Sequence, residues 1–207
     1  MIPLFVDCQK RRIIIFGGGD VAARKAAYFA RAAKVTIVSR SFGQKILDHK
    51  VVYKECDVSA ASDKSLESIL KGAFLVIGAL SDTAQNNRIL RLCRKQKILF
   101  NNADGETGDV ILPSVTGGIN YTLAITTHGS SPAMSRFIRE HLEQEFPALD
   151  EMIALQQRLR TKLKLVQPDQ EKRNAILKEV LNDPSVWMAL CPDPDKAWKL
   201  VKKRYLK

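Results

Sequence analysis

Three consecutive glycines, Gly17-Gly18-Gly19, end the apolar run Ile13-Ile14-Ile15-Phe16 and precede the alanine-rich stretch Asp20-Val21-Ala22-Ala23-Arg24-Lys25-Ala26. Gly17-x-Gly19-x-x-Ala22 is the spacing with which a strand–turn–helix holds a pyrophosphate. Gly17 takes the tight turn out of the strand. Gly19 has no Cβ to keep a phosphate away from the backbone, and Ala22 is small enough for the helix to pack close on the sheet. The free N–H groups of the helix start and the positive end of its dipole attract the anion. Gly17, Gly19, Asp20 and Val21 are therefore the first candidate cofactor-binding residues. Gly-rich turns also occur for packing alone, but here both the strand before and the helix after are written in the sequence.

The second chemical feature is Asn101-Asn102-Ala103-Asp104, just beyond an apolar strand expected at 97–101. Ligands of open α/β sheets bind past the C-terminal strand ends, so Asp104 is a candidate acid or base. The plain alternative is a loop aspartate turning the chain at Asp104-Gly105. A second expected strand, 35–38, closes on Ser39-Arg40-Ser41, where an NAD-binding sheet usually carries a carboxylate for the ribose hydroxyls. No carboxylate is at hand in the sequence. Arg40 and Ser41 are read as contacts to a ribose 2′-phosphate or to the pyrophosphate, so NAD and NADP both remain open. Gly78-Ala79, at the end of the expected strand 74–79, reaches the same edge and joins the cofactor candidates. A third feature is Thr126-Thr127-His128-Gly129-Ser130-Ser131-Pro132. Ser131 reads as an N-cap and Pro132 as the first helical residue. Such a hydroxyl-rich loop is either a second anion site or simply a cap.

The elements that must position these residues follow from periodicity. Strands are expected at 13–16, 35–38, 51–53, 74–79 and 97–101, alternating with helices at 20–33, 62–71 and 83–95. The first helix is expected to set Val21, Lys25, Tyr28 and Phe29 near one face, and 3–7 to form a short edge segment. This alternation gives a parallel, doubly wound sheet with every strand's C-terminal end on one edge. Then the pattern changes. Residues 110–114 and 121–126 read as two extended segments joined around Gly117-Gly118, a sheet too small to stand alone and expected to pair with a second copy. From 149 onward only helices appear: 149–164, 170–181, and two short ones at Asp183-Pro184 and Asp193-Pro194. The expected class is α/β, a Rossmann-type parallel sheet (1–112), followed by a small α+β piece (113–148) and a C-terminal helical region (149–207).

Composition narrows the function. No apolar run approaches the roughly 18 residues that cross a membrane, and Met1 to Val6 is too short for a secretory core; the cytoplasm is expected, with no membrane partner. Cys8, Cys56, Cys93 and Cys191 are scattered and read as reduced, mostly buried thiols. His49, His128 and His141 form no ligand pattern, so no protein-held metal is expected. The net charge of +11 calls for a polyanionic partner. Aromatics do not interleave with the basic residues and no docking motif appears, which lowers the nucleic-acid reading and keeps a polyanionic small-molecule substrate open; no nucleic-acid partner is expected.

Taken together and in order, these pieces resemble the precorrin-2 dehydrogenase family, which includes bifunctional dehydrogenase/ferrochelatases and the N-terminal part of sirohaem synthase. The matching residues are Pro3-Leu4-Phe5, Gly17-Gly18-Gly19-Asp20-Val21-Ala22 with Arg24-Lys25-Ala26, Asn101 with Asp104, Leu112-Pro113-Ser114, Ala124-Ile125-Thr126-Thr127, Gly129-Ser130-Ser131-Pro132, Arg139-Glu140 and Asn182-Asp183-Pro184. The resemblance implies NAD-dependent oxidation of precorrin-2 to sirohydrochlorin, followed in some members by insertion of Fe2+ as a substrate. It also implies a homodimer built on 113–148. The family's catalytic aspartate falls on Asp104, and Asn101, Pro113, Ser114, Thr127, His128, Ser130 and Ser131 fall at the substrate. The chain departs from the family in a shorter 104–113 loop and in His128, where glycine is common. A nucleotide-sensing or tetrapyrrole-carrying protein without turnover is the alternative from another class.

Overall fold

The structure is a computed structural model that describes residues 1–47, 51–104 and 106–206; His49 and Gly105 lie outside them. The chain divides into two compact units, Met1–Leu112 and Pro113–Lys207.

In the first unit, Ile13, Ile14, Ile15 and Phe16 have no exposed surface. Burial on both faces is what a continuous apolar strand requires. That strand, β1 (Arg12–Phe16), lies at the centre of a five-stranded parallel sheet with β2 (Lys34–Ser39), β3 (Val52–Glu55), β4 (Leu75–Gly78) and β5 (Leu99–Asn102), in the order β3-β2-β1-β4-β5. The order reverses between β1 and β4, where Phe16 pairs with Gly78, and such a switch point opens a ligand crevice. Side chains alternate between faces. Ile13 and Ile15 pack with α1 (Asp20–Phe29). After the short α2 (Gln44–Leu47), Ile14 and Phe16 pack with α3 (Asp63–Leu70) and α4 (Thr83–Lys95).

Several expectations are corrected. Helix α1 stops at Phe29, because the chain must turn to let Lys34 N donate to Arg11 O at 2.9 Å. Its buried face is Ala22, Ala23, Ala26 and Phe29, whereas Val21 and Tyr28 are exposed. Close approach to the sheet selects alanine over bulkier residues. Residues 1–8 form no strand, and Leu4 and Phe5 are exposed. The apolar segment 110–112 is not part of the small sheet: Val110 and Leu112 pack on the first unit's core, and Val110 N donates to Phe100 O at 3.1 Å. Of the cysteines, all free, only Cys93 is buried, and Cys191 is exposed.

The second unit opens with an antiparallel hairpin, β6 (Ser114–Gly117) and β7 (Thr122–Ile125), in which Ser114 pairs with Ile125. Helices α5 (Pro132–Glu145), α6 (Leu149–Val166), α7 (Gln170–Leu181), α8 (Pro184–Leu190) and α9 (Pro194–Tyr205) follow. Met152, Leu155, Leu159 and Leu163 repeat at helical spacing and face a core of Val180, Val186, Leu190, Trp198 and Val201. Both Asp-Pro pairs are an N-cap followed by the first helical residue, although α9 is longer than the sequence led us to expect. Asp150 Oδ1 accepts from Asn120 N at 2.7 Å and so anchors the hairpin turn to α6. Among the described residues no helix is long and apolar enough to cross a membrane.

Candidate active site

The glycine turn has a geometry that suits a phosphate. Gly17 has φ +130°, a conformation that L side chains rarely adopt, and a Cβ there would run into the Ala79 carbonyl. A Cβ on Gly18 would run into the Ser41 carbonyl, while one on Gly19 would meet nothing within 4 Å. The switch point thus brings Gly17, Gly78, Ala79 and Ser41 around one turn and leaves open space above Gly19. Gly19 is the N-cap of α1 and supplies no side-chain hydrogen bond, in contrast to Ser62, Asp82 and Ser131, which cap α3, α4 and α5. The first N–H groups of α1 have no capping side chain, which is what a pyrophosphate needs. The residues present fit a dinucleotide. Asp20, beside that start, pairs with Lys45 at 3.0 Å, so its charge is offset before any phosphate arrives, and Val21 is exposed next to it.

At the end of β2 the structure corrects the expectation that no carboxylate is near. Arg40 lies 3.6 Å from Asp57, just past β3. Bonds from the Ser59 hydroxyl and from backbone N–H groups, with Arg40 close by, hold the Asp57 carboxyl below its ordinary pKa. The edge therefore presents an exposed guanidinium and an ionised carboxylate side by side. Asp57 had no local signal in the sequence; pairing of β2 with β3 brings it there.

Asp104 is exposed at the same edge. Its Oδ2 accepts from Thr83 Oγ1 at 2.8 Å, and Thr83 is the first residue of α4, so the carboxylate sits at a positive helix end. Its main-chain carbonyl accepts from Asn86 Nδ2 at 3.4 Å. Asn86 is buried and also pairs with both Leu80 N and Leu80 O. Thr83 and Asn86 had gone unrecognised as supports; the Ser81-Asp82-Thr83 cap was the available signal. Asn101, expected at the substrate, is nearly buried, with its Oδ1 taken by Lys25 Nζ at 2.9 Å and its Nδ2 by Val110 O at 2.7 Å. It braces the edge rather than offering free groups. Lys25 was also missed, although a lysine among the buried alanines of α1 was visible. Burial, with Arg24 alongside, brings its pKa down to about 8.

In the second unit, Thr127 Oγ1 accepts from Ser131 N and lies against Ser131 O and Ser135 Oγ. Ser131 Oγ accepts from Met134 N at 3.2 Å as the cap of α5. His128 has φ +55°, a left-handed conformation that explains why glycine suits this position. Ser130 and His128 are exposed, and Pro113 and Ser114 are half-buried where β6 begins.

A family model described as NAD(P)-binding matches residues 4–114, the sheet and its glycine turn. A precorrin-2 dehydrogenase of Methanosarcina barkeri is 36% identical over 201 residues, covering 95% of this chain and 89% of that one. A siroheme synthase of Yersinia pestis is 32% identical over 166 residues, 79% of this chain but 34% of the relative. The chain therefore spans about a third of that longer protein. The solved structure of SirC, a precorrin-2 dehydrogenase, superposes with a TM-score of 0.70 over 98% of this chain and 100% of that chain at 20% identity, which shows a shared fold. The chain belongs to the precorrin-2 dehydrogenase family.

Proposed function

We propose that this protein oxidises precorrin-2 to sirohydrochlorin, with NAD as cofactor, in sirohaem biosynthesis. The observation that carries the reading is the placement, on one sheet edge, of an uncapped glycine turn and of Asp104 at the start of α4. NAD, when bound, supplies the hydride acceptor. The chain supplies the rest. Gly17, Gly19 and the first turn of α1 with Asp20 and Val21 bind the pyrophosphate, Gly78 and Ala79 floor the crevice, and Arg40 and Ser41 with Asp57 take the ribose end. A 2′-phosphate would meet the Asp57 carboxylate beside Arg40, which favours NAD over NADP. Asp104 Oδ2, oriented by the Thr83 hydroxyl, receives the proton that the macrocycle loses with the hydride. Precorrin-2 carries many carboxylates, and we assign their contacts to the exposed Ser130 and His128 with Pro113, Ser114, Thr127 and the Ser131 turn, Asn101 acting as a brace. We assign substrate contacts and dimer formation to 113–148, and the supporting helices to 149–207. The exposed stripe Met134, Phe137, Ile138 and His141 on α5, at i, i+3, i+4 and i+7, supports a homodimer. Insertion of Fe2+ as a second substrate step is tested by adding iron to the product.

The test is Asp104→Asn. Turnover should fall by about a hundredfold or more, the usual worth of a general base, with dinucleotide affinity within twofold of the parent, since the phosphate cradle is untouched. Undiminished oxidation in the variant would remove Asp104 from the chemistry, and a dinucleotide-binding protein with no oxidation in the parent would turn the reading to a sensor or carrier.

A further inference from the structure

The segment bearing Asp104 leaves the sheet at Asn102 and returns along β5, where it is clamped. Phe100 N donates to Asp109 Oδ2 at 3.1 Å, Val110 N donates to Phe100 O at 3.1 Å, and Asn101 Nδ2 donates to Val110 O at 2.7 Å. On the other face, Asn102 Nδ2 donates to Glu106 O at 2.7 Å. The Asn101 carboxamide links the outgoing and returning strands of this loop, and its orientation is set from outside the loop: Lys25 Nζ donates to Oδ1 at 2.9 Å. Among the described residues this is the only hydrogen-bond or ion-pair partner of Lys25. A half-buried ammonium held by one neutral oxygen is expensive, and a methionine of similar length would pack on the sheet without that cost. Helical side chains lean toward the helix N-terminus, so a lysine in the second turn of α1 reaches back toward the strand ends. The lowered pKa of Lys25 agrees with a cation that has no carboxylate beside it.

We infer that Lys25 is a positioning residue: from the phosphate-binding helix α1 it holds the Asn101 carboxamide, and through it the closed base of the loop that presents Asp104. The catalytic part of this inference rests on the dehydrogenase reading, whereas the clamp does not. One lysine thereby ties the helix that would carry the cofactor to the turn that would carry the base.

Two variants test it by amide hydrogen exchange, dinucleotide titration and turnover. Lys25→Met removes the donor to Asn101. Asn101→Asp keeps an acceptor for Lys25 and removes the donor to Val110. Each should speed exchange at Val110 and Ala103 by about tenfold, the worth of one buried hydrogen bond, with Ile15 and Ile37 unchanged. Each should lower kcat by a similar factor and leave dinucleotide affinity within about twofold, and Lys25→Arg should recover most of both losses. Unchanged exchange at Val110 in Lys25→Met would overturn the clamp. A loss of dinucleotide affinity as large as the loss of kcat would make Lys25 a cofactor-site residue instead. If the parent does not oxidise precorrin-2, the dehydrogenase reading fails by itself, and exchange still decides the clamp.

Discussion

Gly17 and Gly19 play opposite parts two residues apart. Gly17 is required by the fold, since its φ is +130° and a Cβ would strike Ala79 O; Gly19 has ordinary φ and open space around its would-be Cβ. Gly19→Ala should therefore keep its melting temperature within a few degrees and lose about tenfold or more in dinucleotide affinity, because the methyl group takes the phosphate's place. Thermal melts and a fluorescence titration check this, and unaltered affinity would place the phosphates elsewhere. Lys25 makes a pH prediction. Its folded pKa of about 8 lies below the ordinary 10.5, so between those values the unfolded chain holds a proton that the folded chain has released. Stability from this group then rises with pH through that window, by at most about 3 kcal/mol, and the burial penalty is fully present below pH 8. Urea unfolding at pH 7 and pH 10 should show a rise in the parent that Lys25→Met lacks.

At the scale of elements, legibility followed burial. Strands β1 and β4 were plain in the sequence because every residue of each core run is apolar. Strand β3 is exposed throughout, so its end, and with it Asp57 beside Arg40, was invisible until the pairing with β2 was known. Alanine propensity overextended α1, since nothing local announces that residues 30–33 must turn for β2 to start in register. The run Val110-Ile111-Leu112 is equally strand-like whichever sheet it joins, and only its packing on β5 separates it from the hairpin. Helix α5 carries the prediction at this scale. Of its residues only Ser135 is buried, while Phe137 is 63% exposed and stacks on His141. Phe137→Glu puts a charge in the middle of that stripe, and light scattering should show a dimer becoming a monomer with helix content retained. A parent already of single-chain mass, or a variant of unchanged mass, would contradict the proposed homodimer on α5.

At the scale of the whole molecule, the parallel sheet and the all-helical C-terminal region were legible, whereas the switch point between β1 and β4 emerged only from the strand order. The supports of the site were not legible either, because Thr83, Asn86, Lys25 and Asp57 reach it through tertiary contacts rather than through spacing. A net charge of +11 fits a substrate bearing many carboxylates and steers it toward the protein at low ionic strength. The measurement that bears most directly on the central claim is an anaerobic assay of the purified protein with precorrin-2 and NAD, following sirohydrochlorin by absorbance and then adding Fe2+. Stoichiometric formation of sirohydrochlorin and NADH is expected, with no oxidation when NAD is omitted. No turnover with either NAD or NADP, from protein that binds dinucleotide normally, would contradict it.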